Sequence, residues 1–261
     1  MRPLLTRIFT STRIAMASSF PSSPSRRLAR LTRHLNSSSG ELTSVGAPAT
    51  AATDAVPARS RPAASKVHAA VLVCLFEDPS GGTRVLLTKR ASSLSSHSGE
   101  VSLPGGKVEE GDADAKATAL REANEEIGLD PALVSVVTVL EPFLSKNGLN
   151  VVPVIGMVSD KALFNPVLNK AEVEDIFDAP LEMFLKDDNR RTKEMNWMGM
   201  DIPVQFFDYE ADGKVFVIWG LTAHILTRAA AVIFQRQPSF VELPRPKYTS
   251  VPIAGTEEPK P

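Results

Sequence analysis

The ten residues Val67-His68-Ala69-Ala70-Val71-Leu72-Val73-Cys74-Leu75-Phe76 form a β-rich apolar run, and this run constrains the fold most. A turn signal follows at Asp78-Pro79-Ser80-Gly81-Gly82, and Arg84 to Arg90 reads as the returning strand. Ala91 to Ser98 reads as polar loop. Asp112 or Asp114 can cap a helix that runs to Ile127, with Gly128 placed to end it. Further strands are expected at Val134 to Leu140 and Leu149 to Val158, joined by Ser145-Lys146-Asn147-Gly148. Glu172 to Phe177 and Pro203 to Tyr209 read as strands around a short helix near Leu181–Leu185. Asp187-Asp188-Asn189-Arg190-Arg191 reads as a solvated loop. Val215 to Trp219 then leads into a last helix over about Thr222–Arg236. A mixed β-sheet sandwiched between helices, an α/β (α+β) fold, is the simplest architecture that buries these faces.

Charge divides the chain. Residues 1–40 hold seven of the 29 basic residues, all arginine, and no acid, so the remainder carries 22 bases against all 30 acids. A body that acidic argues against a nucleic-acid partner, which needs a clustered basic face. The arginines Arg2, Arg7 and Arg13 alternate with Leu4, Leu5, Ile8 and Phe9, the composition of an organelle transit peptide. Mitochondrion is the expected address, with plastid or cytosol as alternatives. The expected organisation is a transit peptide at 1–40, a flexible linker at 41–65, a folded domain at 66–245 and an unpacked tail at 246–261. No run approaches the roughly 18 apolar residues of a membrane-spanning helix, so no membrane partner is expected. Cys74 is the only cysteine, which excludes an internal disulfide and a thiolate zinc cluster.

The chemistry is concentrated in Arg121-Glu122-Ala123-Asn124-Glu125-Glu126-Ile127-Gly128-Leu129. Leu120, Ala123 and Ile127 form one apolar stripe of the helix. Glu122 and Glu126 share another face with Glu125 beside them. Like charges at that spacing cost roughly 0.2–0.5 kcal/mol in an isolated helix. They also lie at the wrong end of the helix dipole. A hard divalent cation reverses both costs, because it takes carboxylate oxygens and leaves positions for water and phosphate. A solvated acidic face, with Arg121 and Glu125 as an i,i+4 ion pair, is the alternative reading of the helix alone. The preceding Leu103-Pro104-Gly105-Gly106-Lys107 shifts the balance, since a Gly-Gly turn lets the backbone approach a ligand closely.

Pro104-Gly105-Gly106-Lys107, the acidic loop Glu109-Glu110-Gly111-Asp112 and Arg121 to Leu129 together resemble the signature of the Nudix hydrolases, which cleave a diphosphate linked to another moiety. Gly106 lies one residue further from Arg121 than in the general pattern, so the early loop carboxylate must come from Glu109, Glu110 or Asp112, or be dispensable. The resemblance implies a Nudix fold and Mg²⁺ or Mn²⁺ as cofactor. It makes Glu122 and Glu126 metal ligands, with Glu125 a further ligand or the residue that positions water. Arg121 orients these carboxylates, and Glu125 or a loop acid serves as base. Gly105, Gly106 and Lys107 would lie against substrate. Upstream, Leu86-Leu87-Thr88-Lys89-Arg90-Ala91, Gly99 and Leu103-Pro104-Gly105-Gly106 resemble the coenzyme A diphosphatase branch. Ser95 stands where that pattern has arginine, and Leu103 where it has phenylalanine. Arg90 is then the leading phosphate contact, with His97 or Lys89 available to compensate for Ser95. The implied substrate is coenzyme A or acyl-coenzyme A, cleaved to 3′,5′-ADP and 4′-phosphopantetheine or its acyl form. Another nucleoside diphosphate derivative (NADH, ADP-ribose or a nucleotide sugar) is the alternative, and homo-oligomerisation stays open. Val217-Ile218-Trp219-Gly220-Leu221-Thr222 resembles the same branch, with Trp219 expected to serve as core packing.

Overall fold

The computed structural model describes residues 68–197 and 200–241. The expected transit peptide, linker and tail lie outside the described residues. Strand β1 (Ala69–Glu77) returns as β2 (Thr83–Arg90) through a turn organised by Asp78. The Asp78 carboxylate accepts from the Ser80 and Gly82 N–H groups at 2.9 and 2.8 Å, the local bonding that makes Asp a turn residue. Short strands β3 (Val101–Ser102) and β4 (Gly105–Lys107) precede helix α1 (Ala115–Ile127). Then come β5 (Val134–Val139), β6 (Phe143–Leu144), β7 (Asn150–Val158) and β8 (Val173–Pro180). Strands β9 (Arg190–Trp197), β10 (Met200–Ala211) and β11 (Lys214–Trp219) lead into helix α2 (Gly220–Phe234).

The main sheet is mixed. Its path runs β3-β2-β1-β7-β5, with β4 on β1, β6 on β7 and β8 on β2. β1 and β7 pair in parallel, while β2 and β4 run antiparallel to β1. Side chains on a strand alternate between faces, and on β1 both sets are apolar. Ala70, Leu72, Cys74 and Phe76 meet Ala119, Ala123 and Ile127 of α1. Val73 and Leu75 face the other way, into a core shared with Phe184, Phe207, Ile218, Ala223, Leu226 and Ala230. One face of the sheet is thus covered by α1, and the other by α2 with a second, three-stranded sheet, β11-β10-β9. The sandwich expected from the strand and helix pattern is present. Among the described residues no helix is long and apolar enough to cross a membrane.

The structure departs from four local expectations. The second sheet was not expected as a separate unit: Pro203–Tyr209 and Val215–Trp219 pair with each other and not with the main sheet. Arg190 and Arg191 open strand β9 instead of lying in a loop, pairing with Phe207 and Phe206. Their side chains point to opposite faces of an edge strand, Arg190 over the Phe240 ring and Arg191 over Phe206, so the backbone ladder forms without apolar alternation. Gly105–Gly106 is a short strand on β1, not a free turn. The short helix at Leu181–Leu185 is a 3₁₀ helix.

Candidate active site

Helix α1 is anchored at both ends. The Asp114 carboxylate caps it by accepting from the Lys116 and Ala117 N–H groups, both at 2.9 Å. Gly128 ends it with φ +70°, a left-handed conformation that glycine adopts without penalty. Ala119, Ala123 and Ile127 are fully buried, and Leu120 is half-buried at the edge of this stripe. This packing turns Glu122 and Glu126 toward strand β4.

There the two glycines matter. Gly105 has φ +154°, and a Cβ on it would lie 2.4 Å from the Ala70 carbonyl oxygen. Its N–H donates to Glu126 Oε2 at 3.1 Å. A Cβ on Gly106 would stand 2.3 Å from Glu122 Oε1, so only glycine leaves room for that carboxylate. Glu126 is 3% exposed, and Arg90 Nη1 lies 3.7 Å from its Oε1. Burial pushes the Glu126 carboxyl up to about 7, against the opposing pull of the Gly105 N–H and Arg90. Burial also raises Glu122. Glu125 is 55% exposed, the most open of the three.

Arg121 gathers the acidic groups. Its Nε and Nη2 donate to the two oxygens of Asp112, both at 3.0 Å, in a bidentate fork. Its Nη1 donates to Glu122 at 3.2 Å and Glu125 at 3.0 Å, and its Nη2 to the Lys107 carbonyl at 3.0 Å. The ion pair with Glu125 and the orienting contact with Glu122 therefore coexist. Asp112 also accepts from the Glu109 N–H and the Thr118 hydroxyl, each at 2.9 Å. The Arg121 hydrogen bonds hold its carboxyl well below the usual carboxylate range. Of the loop acids left open by the sequence, Asp112 is thus fully engaged in fixing Arg121, and Glu109 stands 3.8 Å from that guanidinium.

Other residues fall differently. Lys107 meets the cluster through its backbone carbonyl, and its side chain is exposed. Lys89 is bonded to Glu174 at 2.6 Å and His97 to Glu100 at 2.9 Å. Trp219 is half-buried and stacked on Phe206, with centroids 5.4 Å apart.

Sequence reasoning missed Glu172. The Asn169 N–H donates to the Glu126 carbonyl at 2.9 Å, and Val167 N–H to the Ile127 carbonyl at 3.0 Å, which lays this loop against the end of α1. The Glu172 carbonyl accepts from Ala91 N–H at 2.8 Å, beside Arg90, and its carboxylate acts electrostatically on both Glu122 and Glu126. No local pattern signals this, because the contact joins segments far apart in the chain.

Asp112, Glu122 and Glu125 thus bond Arg121, Glu126 lies against Arg90, and Glu172 adds its charge to Glu122 and Glu126. An oxygen-only donor set with excess negative charge, beside a cradle that a Cβ would fill, fits a hard divalent ion. Among the described residues no three acidic, imidazole or thiol groups form a ready-made cage.

The NUDIX domain family model matches residues 66–216. The chain is 62% identical over 182 residues to "Nudix hydrolase 15, mitochondrial" of Arabidopsis thaliana, covering 69% of this chain and 64% of that protein. It is 59% identical over 196 residues to "Nudix hydrolase 22, chloroplastic" of the same plant, covering 75% and 64%. It is 35% identical over 162 residues to "Peroxisomal coenzyme A diphosphatase NUDT7" of Mus musculus, covering 61% and 68%. The chain therefore spans 64% of the length of each of the two plant relatives.

Proposed function

The chain belongs to the Nudix family, and from that premise we propose that it is a divalent-metal-dependent diphosphatase of coenzyme A and acyl-coenzyme A, releasing 3′,5′-ADP and 4′-phosphopantetheine or its acyl form. The observation that carries the reading is the convergence of Glu122, Glu126 and Arg90 on the Gly105–Gly106 strand. Coenzyme A as substrate is supported by the run from Leu86 to Gly106 and by the similarity to the mouse protein named for that activity.

Glu122 and Glu126 would hold Mg²⁺ or Mn²⁺. Such an ion neutralises diphosphate oxygens and lowers the pKa of the water that attacks one phosphorus. Arg90 contacts phosphate: its Nε is buried without a hydrogen-bond partner, while 24% of the side chain stays open. An orphaned buried donor costs about 1–3 kcal/mol, and a phosphate oxygen that brings Arg90 into a paired geometry offsets it. Arg121 fixes the spacing of Glu122 and Glu125. Glu125, the most exposed of the three, takes the proton of the attacking water. Residues 66–245 form the hydrolase domain, and the arginine-rich segment 1–40 directs it to an organelle, a mitochondrion by composition. The plant relatives bear mitochondrial and chloroplastic names.

A turnover panel tests the substrate. The full chain with Mg²⁺ or Mn²⁺ is offered coenzyme A, NADH and ADP-ribose, and coenzyme A is expected to give the highest kcat/KM. Robust NADH or ADP-ribose cleavage with none of coenzyme A would assign the chain to another nucleoside diphosphate derivative.

A further inference from the structure

A cleft of about 330 Å³ lies on the face of the main sheet opposite α1, between the ends of β2 and β8 and strand β11. One wall carries Phe216, Val217 and Trp219. Phe216 is 5% exposed and stacks on Phe177 inside the core, with centroids 3.7 Å apart. Trp219, on the other face of β11, is half-buried and stacks on Phe206, so the apolar surface open to the cleft is that of Val217 and Trp219. The facing wall is Ser98-Gly99-Glu100. It belongs to the segment between Arg90 and Gly105 that carries the coenzyme A-type pattern.

The cations at this cleft are already paired. Lys89 Nζ donates to Glu174 at 2.6 Å and Lys214 Nζ to Asp175 at 2.5 Å, while Glu100 is bonded to His97. A phosphate entering here would meet three carboxylates and two neutralised lysines, a mismatch that disfavours it. An uncharged chain meets matching surfaces: the Val217 and Trp219 side chains for its methylene and methyl groups, carboxylate oxygens for its N–H groups. The cleft also adjoins the phosphate-facing arginine. Lys89 and Arg90 are consecutive at a register shift of β2, where Lys89 bonds Glu174 and Arg90 lies against Glu126, and the Arg90 N–H donates to the Glu100 carbonyl at 2.9 Å.

We propose that this cleft receives the uncharged, amide-linked arm of the substrate, and that Val217 and Trp219 select for it; this rests on coenzyme A being the substrate. The anionic 3′-phosphoadenosine half stays outside the cleft. Selection comes from the fit of a neutral arm and from the acids that repel a phosphate.

Filling the cleft from either wall tests this, with Val217→Trp on β11 and Ser98→Trp on the loop. In both variants of the full chain, KM for coenzyme A and the inhibition constant of 4′-phosphopantetheine should rise about tenfold or more, the scale of losing a few methylene contacts. The inhibition constant of 3′,5′-ADP should stay within about twofold, which also shows that the variants are folded. Unchanged constants, equal rises in both, or a rise confined to 3′,5′-ADP would overturn the proposal. Calorimetric binding of 4′-phosphopantetheine to the wild-type chain separates it from the substrate reading. Binding that the cleft variants lose, without coenzyme A cleavage, sinks the substrate and keeps the cleft. Cleavage with a KM indifferent to both variants sinks the cleft alone.

Discussion

Helix α2 buries eight of its fifteen residues, seven of them aliphatic and one Thr227, whereas α1 buries five of its thirteen, one of them Glu126. The two helices cover opposite faces of one sheet. No side chain caps α2 at its N-terminus, while α1 is capped by Asp114 and tied by Arg121 to the loop before it. Area removed from water holds α2 in place, without regard to direction. Directional polar contacts hold α1 in one register against β4. A helix that must present two carboxylates to a glycine cradle needs the second kind of support, and it carries a buried acid that a purely structural helix would not.

Substitutions can break this contrast, and the largest effect is expected on α1. Glu126→Gln should lower kcat/KM by about 10³-fold, the scale of losing a group that acts directly on the reacting charge. Its melting temperature should not fall at pH 8 without metal. Burial pushes Glu126 up to about 7, so at pH 8 it is charged at a site that penalises the charge, and the neutral amide removes that cost. Next comes the reverse pattern on α2. Leu226→Ala should cost about 2–5 kcal/mol in denaturant unfolding, with turnover per folded molecule unchanged.

Asp112→Asn comes third, since it weakens the fork that aims Arg121. A fall of about tenfold in kcat is expected, with KM changed less. The sign of its pH effect is fixed. Asp112 has a folded-state pKa below its ordinary 3.8, so its contribution to stability is present above that value and is lost as pH falls through the folded pKa. The Asn variant should therefore show a shallower loss of stability in acid titration than the wild type. The smallest effect is at the cap: Asp114→Ala should cost about 1 kcal/mol in thermal or denaturant unfolding.

Legibility in the sequence follows the same division. Strands β1, β2 and β7 and both helices were readable because burial leaves an apolar period, and α1 has a capping Asp and a terminating Gly at its ends. Strand β9 was not readable, because Arg190-Arg191-Thr192-Lys193-Glu194 has no apolar face to declare it, and its ladder partner is distant. The carboxylate helix stood out through its resemblance to the Nudix signature, since spacing alone left a solvated acidic face open. The Gly-Gly pair pointed to a close backbone approach but to a turn instead of a strand. What escaped were contacts between distant segments: Glu172 carried to Glu126 by the loop at Asn169, and the choice of Asp112 among three loop acids. Such contacts are set by tertiary packing, and neighbouring residues carry no trace of them.

The central claim is that Glu122 and Glu126 together hold a divalent ion beside Gly106. Mn²⁺ titration followed by electron paramagnetic resonance, on the wild type and on Glu122→Gln/Glu126→Gln, tests it most directly. Tight Mn²⁺ binding in the wild type, weakened about a hundredfold or more in the double variant while the circular dichroism spectrum is retained, is the predicted result. Equal Mn²⁺ binding by the two proteins would contradict it.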